Sequence, residues 1–255
     1  MSDDGKTAAN GSGGNGSGGN GSGGYGRVLV VAAHPDDPEF LFGAAVASLV
    51  HGGAEVGYVV CSDGANGSRD PHTPREEIAA ARRDEQRDAA EALGVRDVAF
   101  LDFQDGRLEA GAELRLAIAR QIRRFRPDLV ITHFPRRALD TPIEASHPDH
   151  VAVGEAALAA VFPDAANARA LPELLAEGLE PHRVKEVWIP GYERANHYVD
   201  ATPFMDRKIE AIGRHRSQVG GADPRESLAW VYGWMKWAGS QGGVEYAEDY
   251  KRIKL

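Results

Sequence analysis

The chain of 255 residues carries 38 Asp and Glu against 29 Lys and Arg, a formal net charge of −9, with 42% hydrophobic residues and one cysteine. That balance argues against nucleic-acid binding, which needs a basic face, and a lone thiol makes neither an intrachain disulfide nor a thiolate metal cage. The longest nearly unbroken apolar run, residues 41–50, is too short to span a bilayer, and no charged region followed by an apolar core marks a leader. A cytoplasmic protein without membrane contact is therefore expected.

Residues 1–26 hold eleven of the thirty glycines, largely in three NGSGG repeats. They cannot bury enough apolar surface to offset ordering entropy and read as a disordered tail. Residues 27–255 read as one domain. RVLVVAA (27–33) is an apolar run of strand length, followed by a turn and an apolar helix ending at Gly52-Gly53. EVGYVVC (55–61) and DVAFL (97–101) are the next strands, with a helix over 75–93 between them. Leu114, Ile118, Ile122 and Phe125 recur at helical spacing within 111–126. DLVITHF (128–134) is a fourth strand, followed by a helix over 148–161 and a strand at VKEVWIP (184–190). Two further helices are expected near 203–216 and 225–240. Short apolar strands alternating with helices predict a Rossmann-like three-layer α/β/α fold, its sheet mostly parallel in the order 3-2-1-4-5.

Two motifs carry chemistry. AHPDDPEF (33–40) follows the first strand, and SHPDHV (146–151) lies in the loop after the fourth. An isolated HPD reads more readily as a turn with a capping Asp. Two of them, beyond the carboxyl ends of strands that flank the switch point, can meet in one cleft. Imidazole with carboxylate suits Zn²⁺ or Fe²⁺, and catalytic zinc takes three protein ligands. His34, Asp37 and His150 make such a set. Asp36 and His147 then remain beside the metal as base and as acid or electrostatic stabiliser.

With the helix pattern Arg82, Glu85, Ala92–Gly94 and the segments NHYVDAT (196–202) and HRSQ (215–218), these motifs resemble the LmbE-like, or PIG-L, family of zinc-dependent N-acetylglucosaminyl deacetylases. The resemblance runs from about Arg27 to the C-terminus. It implies His34, Asp37 and His150 as zinc ligands, Asp36 as general base, and His147 as the residue that protonates or stabilises. Asp149 would orient His147 and raise its pKa. It further implies Arg82 and Asp105 as contacts to an N-acetylated amino sugar. Some relatives carry a carbonyl-polarising Tyr or Arg where this chain has Ala145.

Several residues have plainer readings. Arg82 can pair with Glu85 on the helix surface. Arg69 sits on a Gly-rich loop that either approaches substrate or is merely flexible. Cys61 and His133 read as structural, and His215 yields no derivable role. Trp230, Trp234 and Trp237 form an aromatic stripe read first as core, with a subunit contact, hence a homo-oligomer, or a substrate wall as alternatives. An amidase acting on a thiol–sugar conjugate or other acylated amine, and a non-catalytic carbohydrate-binding module that retains metal, are the competing functions.

Overall fold

A computed structural model describes residues 24–139, 143–219 and 227–255, without the side chains of Glu144 and Ala145. Its strands are β1 (Arg27–Ala32), β2 (Glu55–Ser62), β3 (Asp97–Phe103), β4 (Leu129–Thr132), β5 (Glu186–Pro190), β6 (His197–Asp200) and β7 (Ala247–Lys254). They form one sheet in the order β3-β2-β1-β4-β5-β7-β6. The first five are parallel as expected, whereas β7 runs antiparallel to both β5 and β6. The longer helices are α1 (Asp37–His51), α2 (Arg75–Ala92), α3 (Ala112–Phe125) and α4 (Pro148–Ala159). After the short α5 (Pro172–Ala176) come α6 (Met205–Gly213), α7 (Arg216–Val219) and α8 (Ala229–Gly242). No helix among the described residues is long and apolar enough to cross a membrane.

The continuous apolar run of β1 makes sense once both of its faces are covered. Leu29 and Val31 enter a core with Leu114, Ile118 and Ile122 of α3 and Val153 and Ala156 of α4. Val28 and Val30 enter another with Phe42, Val46 and Leu49 of α1 and Ala90 of α2. This period-two division sets three layers, helix, sheet and helix.

The expected tail boundary moves slightly. Tyr25 packs edge-on against Trp188 and donates a hydrogen bond to Glu186 at 2.8 Å, and Gly26 N–H donates to Asp128. One aromatic ring is enough to dock the chain ahead of Arg27; residues 1–23 lie outside the described part. The tryptophan stripe also departs from core packing. Val231, Met235 and Ala238 are the buried face of α8, while Trp230 and Trp237 are 58% and 59% exposed. The apolar stripe that meets α1 and α6 is offset by one residue from the aromatic one; Trp234 packs at its margin and Trp230 stacks on Phe40.

β6 and β7 escaped the sequence reading because β7 is charged. Glu248 is nevertheless fully buried, accepting hydrogen bonds from the Ala44 and Ala45 N–H groups of α1, Tyr250 Oη and Lys208 Nζ of α6. Lys208 is equally buried and also donates to Phe40 O. Removing one member of a buried pair strands the other charge. Lys208→Met should therefore cost about 3–5 kcal/mol in urea unfolding, with partial recovery when Glu248→Gln is added. A Lys208→Met protein as stable as the parent would show that the pair does not fasten α1, α6 and β7.

Candidate active site

β1 and β4 are direct neighbours, with Val31 opposite Thr132, so the residues just beyond them emerge side by side. The Ala33 N–H donates to Nε2 of His133 at 2.9 Å, tying the two exits together. α4 then crosses so close to the end of β4 that a Cβ on Gly154 would lie 2.6 Å from His133 O. Glycine there lets α4 bring His147, Asp149 and His150 over the Ala33–Asp37 turn.

Asp37 is the meeting point. Its Oδ2 accepts the His34 backbone N–H at 2.8 Å and lies 3.3 Å from both His34 Nδ1 and His133 Nε2, while Oδ1 lies 3.1 Å from His150 Nε2. Burial would raise this carboxyl, but His150 and His133 outweigh it and hold it well below the ordinary range. His133, read from sequence as structural, thus both receives the Ala33 N–H and stacks on His150 at 4.2 Å. Burial, reinforced by the charge of His150, lowers His133 to about 4.

The other ring nitrogen of His34 faces two carboxylates, Asp105 Oδ1 at 3.3 Å and Asp149 Oδ2 at 3.2 Å. Asp149 is fixed by the Gly106 and Leu108 N–H groups, and Asp105 by that of Asn66. Burial would lower His34, but the hydrogen bonds to Asp105, Asp149 and Asp37 carry its pKa well above the usual value. This corrects the expected part of Asp149. Its carboxylate serves His34, and only its backbone N–H reaches His147, donating to Nδ1 at 3.2 Å. His147 is lowered rather than raised, by burial first and then by His34 and His150. With Nδ1 accepting, the neutral ring carries its proton on Nε2.

Asp36 caps α1 with φ at 103°, a conformation side chains rarely adopt. Its Oδ2 accepts from Arg82 at 2.9 Å, and no described residue bonds Oδ1. Burial raises Asp36 to about 6, opposed chiefly by Arg82. Arg82 itself is buried, donating also to Gly64 O and Pro35 O, so the surface pair with Glu85 does not form; Glu85 instead accepts from Ser217. Asp105 faces His34 rather than open solvent, and Arg69 is exposed and unpaired among the described residues. Cys61 is buried, and burial pushes its thiol well above the ordinary range, away from any nucleophilic role. Glu39 and Gln86, both fully buried behind Asp36, were missed. The only sequence signal for Glu39 was its place in the first motif.

The donors fit a divalent ion. Ligand atoms of His34, His147 and His150 lie within 4.8 Å of one another, as do those of Asp37, His133 and His150. Imidazole and carboxylate are the expected donors, and the carboxylates behind His34 are the partners that fix a ligating ring. Fold and site together define an open α/β protein with a His/Asp cluster able to hold a metal ion at the switch point of its sheet.

Residues 29–161 match the PIG-L family, described as GlcNAc-PI de-N-acetylase. The chain belongs to this family. It is 34% identical over 196 residues to a diacetylchitobiose deacetylase of Thermococcus kodakarensis, spanning 75% of this chain and 70% of that one. A probable N-acetyl-alpha-D-glucosaminyl L-malate deacetylase 2 of Bacillus cereus is 31% identical over 198 residues, 75% and 83% of the two chains. The solved N,N'-diacetylchitobiose deacetylase from Pyrococcus horikoshii, complexed with its inhibitor MPG, superposes with a TM-score of 0.83 at 29% identity, covering 91% of this chain and 85% of that one.

Asp149→Asn should weaken divalent-metal affinity about 10- to 100-fold, because it loosens the outer nitrogen of His34. Competition with a chromogenic chelator measures this directly; an unchanged affinity would mean that Asp105 alone suffices.

Proposed function

We propose that the protein is a zinc-dependent N-deacetylase, hydrolysing the acetamide of an N-acetylglucosamine-type sugar to acetate and the free amine. The observation that carries this reading is the disposition of two groups beside the His/Asp cluster. Among the described residues Asp36 keeps one carboxylate oxygen unbonded, and His147 has its donor nitrogen turned away from its own backbone bond. His34, Asp37 and His150 would hold the ion. A divalent ion there supplies Lewis acidity toward a carbonyl oxygen and acidifies water.

The chain's own residues supply the proton movements. Asp36 Oδ1 takes a proton from the attacking water as the new C–O bond forms. A pKa raised to about 6 suits a base that must be ionised yet basic at neutral pH. His147 Nε2–H donates a hydrogen bond to the developing oxyanion, and the proton taken up by Asp36 passes to the departing nitrogen as the C–N bond breaks. Arg82 holds the second oxygen of Asp36 in place, and Asp149 holds His34. Arg82 and Asp105 line the floor of this arrangement, with Arg69 on the exposed loop as a further contact for sugar hydroxyls. The N-acetylglucosaminyl compounds named for the Thermococcus and Bacillus relatives support the substrate class.

Asp36→Asn should lower kcat by about 10²- to 10⁴-fold while the protein keeps its metal. The test is acetate release from N,N'-diacetylchitobiose and N-acetylglucosaminyl malate, with metal content measured on the same preparations. Removing the metal with a chelator should abolish turnover, and zinc should restore it. An active Asp36→Asn protein would remove Asp36 as the base, and release of a larger acid from an S-conjugated sugar in place of acetate would favour an amidase.

A further inference from the structure

Behind Asp36 lies a buried polar chain that the reaction as written does not use. The Asp36 backbone N–H donates to Gln86 Oε1 at 2.8 Å. Gln86 Nε2 donates to both oxygens of Glu39, at 3.0 and 3.1 Å. Glu39 Oε2 in turn receives His215 Nε2 at 2.9 Å. Glu39, Gln86 and His215 are all fully buried, and His215 Nδ1 has no partner among the described residues.

These groups dictate one another's orientation. A carboxylate only accepts, so Glu39 compels the amide of Gln86 to present its NH₂. The other end of that amide is then an oxygen, which is what the Asp36 N–H requires. His215, delivered from the turn between α6 and α7, fixes Glu39 from behind. At the front of the chain, Asp36 is held at a φ of 103°, a region that is unfavourable for a non-glycine residue and persists only where neighbours over-determine it. Arg82 grips the side chain and the Pro35 carbonyl on one edge of the peptide before Asp36, and Gln86 alone holds the N–H on its opposite edge.

We propose that Gln86, clamped by Glu39 and His215, is a positioning residue that locks the Asp36 backbone in its left-handed conformation and so aims the carboxylate into the cleft. This rests on Asp36 being the base. It gives His215 of HRSQ (215–218) and Glu39 of the first motif a shared purpose, although both side chains are buried. The effect should fall on turnover rather than on metal or substrate binding, since misplacing a reacting group by about 1 Å costs on the order of 10²-fold.

The test uses the full-length, zinc-loaded protein and acetate release from N,N'-diacetylchitobiose. Gln86→Leu should lower kcat roughly 10- to 100-fold, with KM and zinc affinity changed less than about threefold. Glu39→Gln and Gln86→Glu should each be impaired. The double exchange should recover activity above either single variant. Glu at 86 can still accept from Asp36 N–H, while Gln at 39 donates to it and accepts from His215. Where Gln86→Leu fails to fold, this exchange decides the matter, because a merely structural fault in each variant predicts additive damage. Wild-type kcat in folded Gln86→Leu, or an exchange no better than its worse single, overturns the proposal. Asp36→Asn is run in parallel. If it is inactive while Gln86→Leu is normal, only the positioning role falls; if it is active, the base assignment falls and this inference with it.

Discussion

Everything at the site depends on placing one carboxylate, Asp37, inside the protein. A buried carboxylate with no partner would cost several kcal/mol or simply take up a proton. Asp37 instead gathers the His34 N–H and the rings of His34, His133 and His150 within 3.3 Å. Those partners come from the turn after β1, the end of β4 and the start of α4. They can meet because β1 and β4 are hydrogen-bonded neighbours, and because Gly154 lets α4 lie against the end of β4. The sheet order is thus a condition for the cluster, and the cluster fastens the two loops that the sheet order leaves adjacent.

The same principle recurs along α1. Glu248 is buried with Lys208, and Glu39 with Gln86 and His215. Each brings a charge into a layer of otherwise apolar contacts, and each is satisfied by groups from other elements. Such pairs are weak sources of net stability but strong constraints on register, since any slip leaves a charge unpaired. α1 is consequently held at its amino end by Asp37, along its length by Glu248 on β7, and against α2 by Gln86. A helix so constrained presents Asp36 and Asp37 at a reproducible place, which chemistry at that end demands.

Legibility in the sequence followed the physical nature of the signal. Parallel strands such as 27–33 and 128–134 are apolar on both faces, so period and length alone reveal them, and with them the order of five strands. β7 is invisible to that logic because Glu248 and Asp249 look like surface residues until their partners are known. The two HPD motifs announced that imidazoles and carboxylates would gather. They did not announce who bonds whom. Asp149 follows His147 closely in sequence, which suggested a pair, yet its carboxylate turns to His34 and to the N–H groups of Gly106 and Leu108. Arg82 and Glu85 likewise look like a surface pair, whereas burial sends Arg82 to Asp36. Gln86 carries no signal, because an amide on a helix is ordinary until an N–H and a carboxylate arrive on either side.

The division of labour between the two histidines of HPDH follows from helix capping. His147 precedes Pro148, takes the N-cap position, and accepts the otherwise unpaired N–H of Asp149 through Nδ1. A ring that accepts at Nδ1 must, when neutral, carry its hydrogen at Nε2, so the cap sets the tautomer before any substrate arrives. His150 lies inside the first turn, where it has no capping duty, and its Nε2 reaches Asp37. Asp149, between them, uses its N–H for the cap, leaving its carboxylate to cross the cleft to His34. Four consecutive residues thereby supply a donor, a carboxylate clamp and a metal-competent imidazole, separated by where each falls relative to the start of one helix.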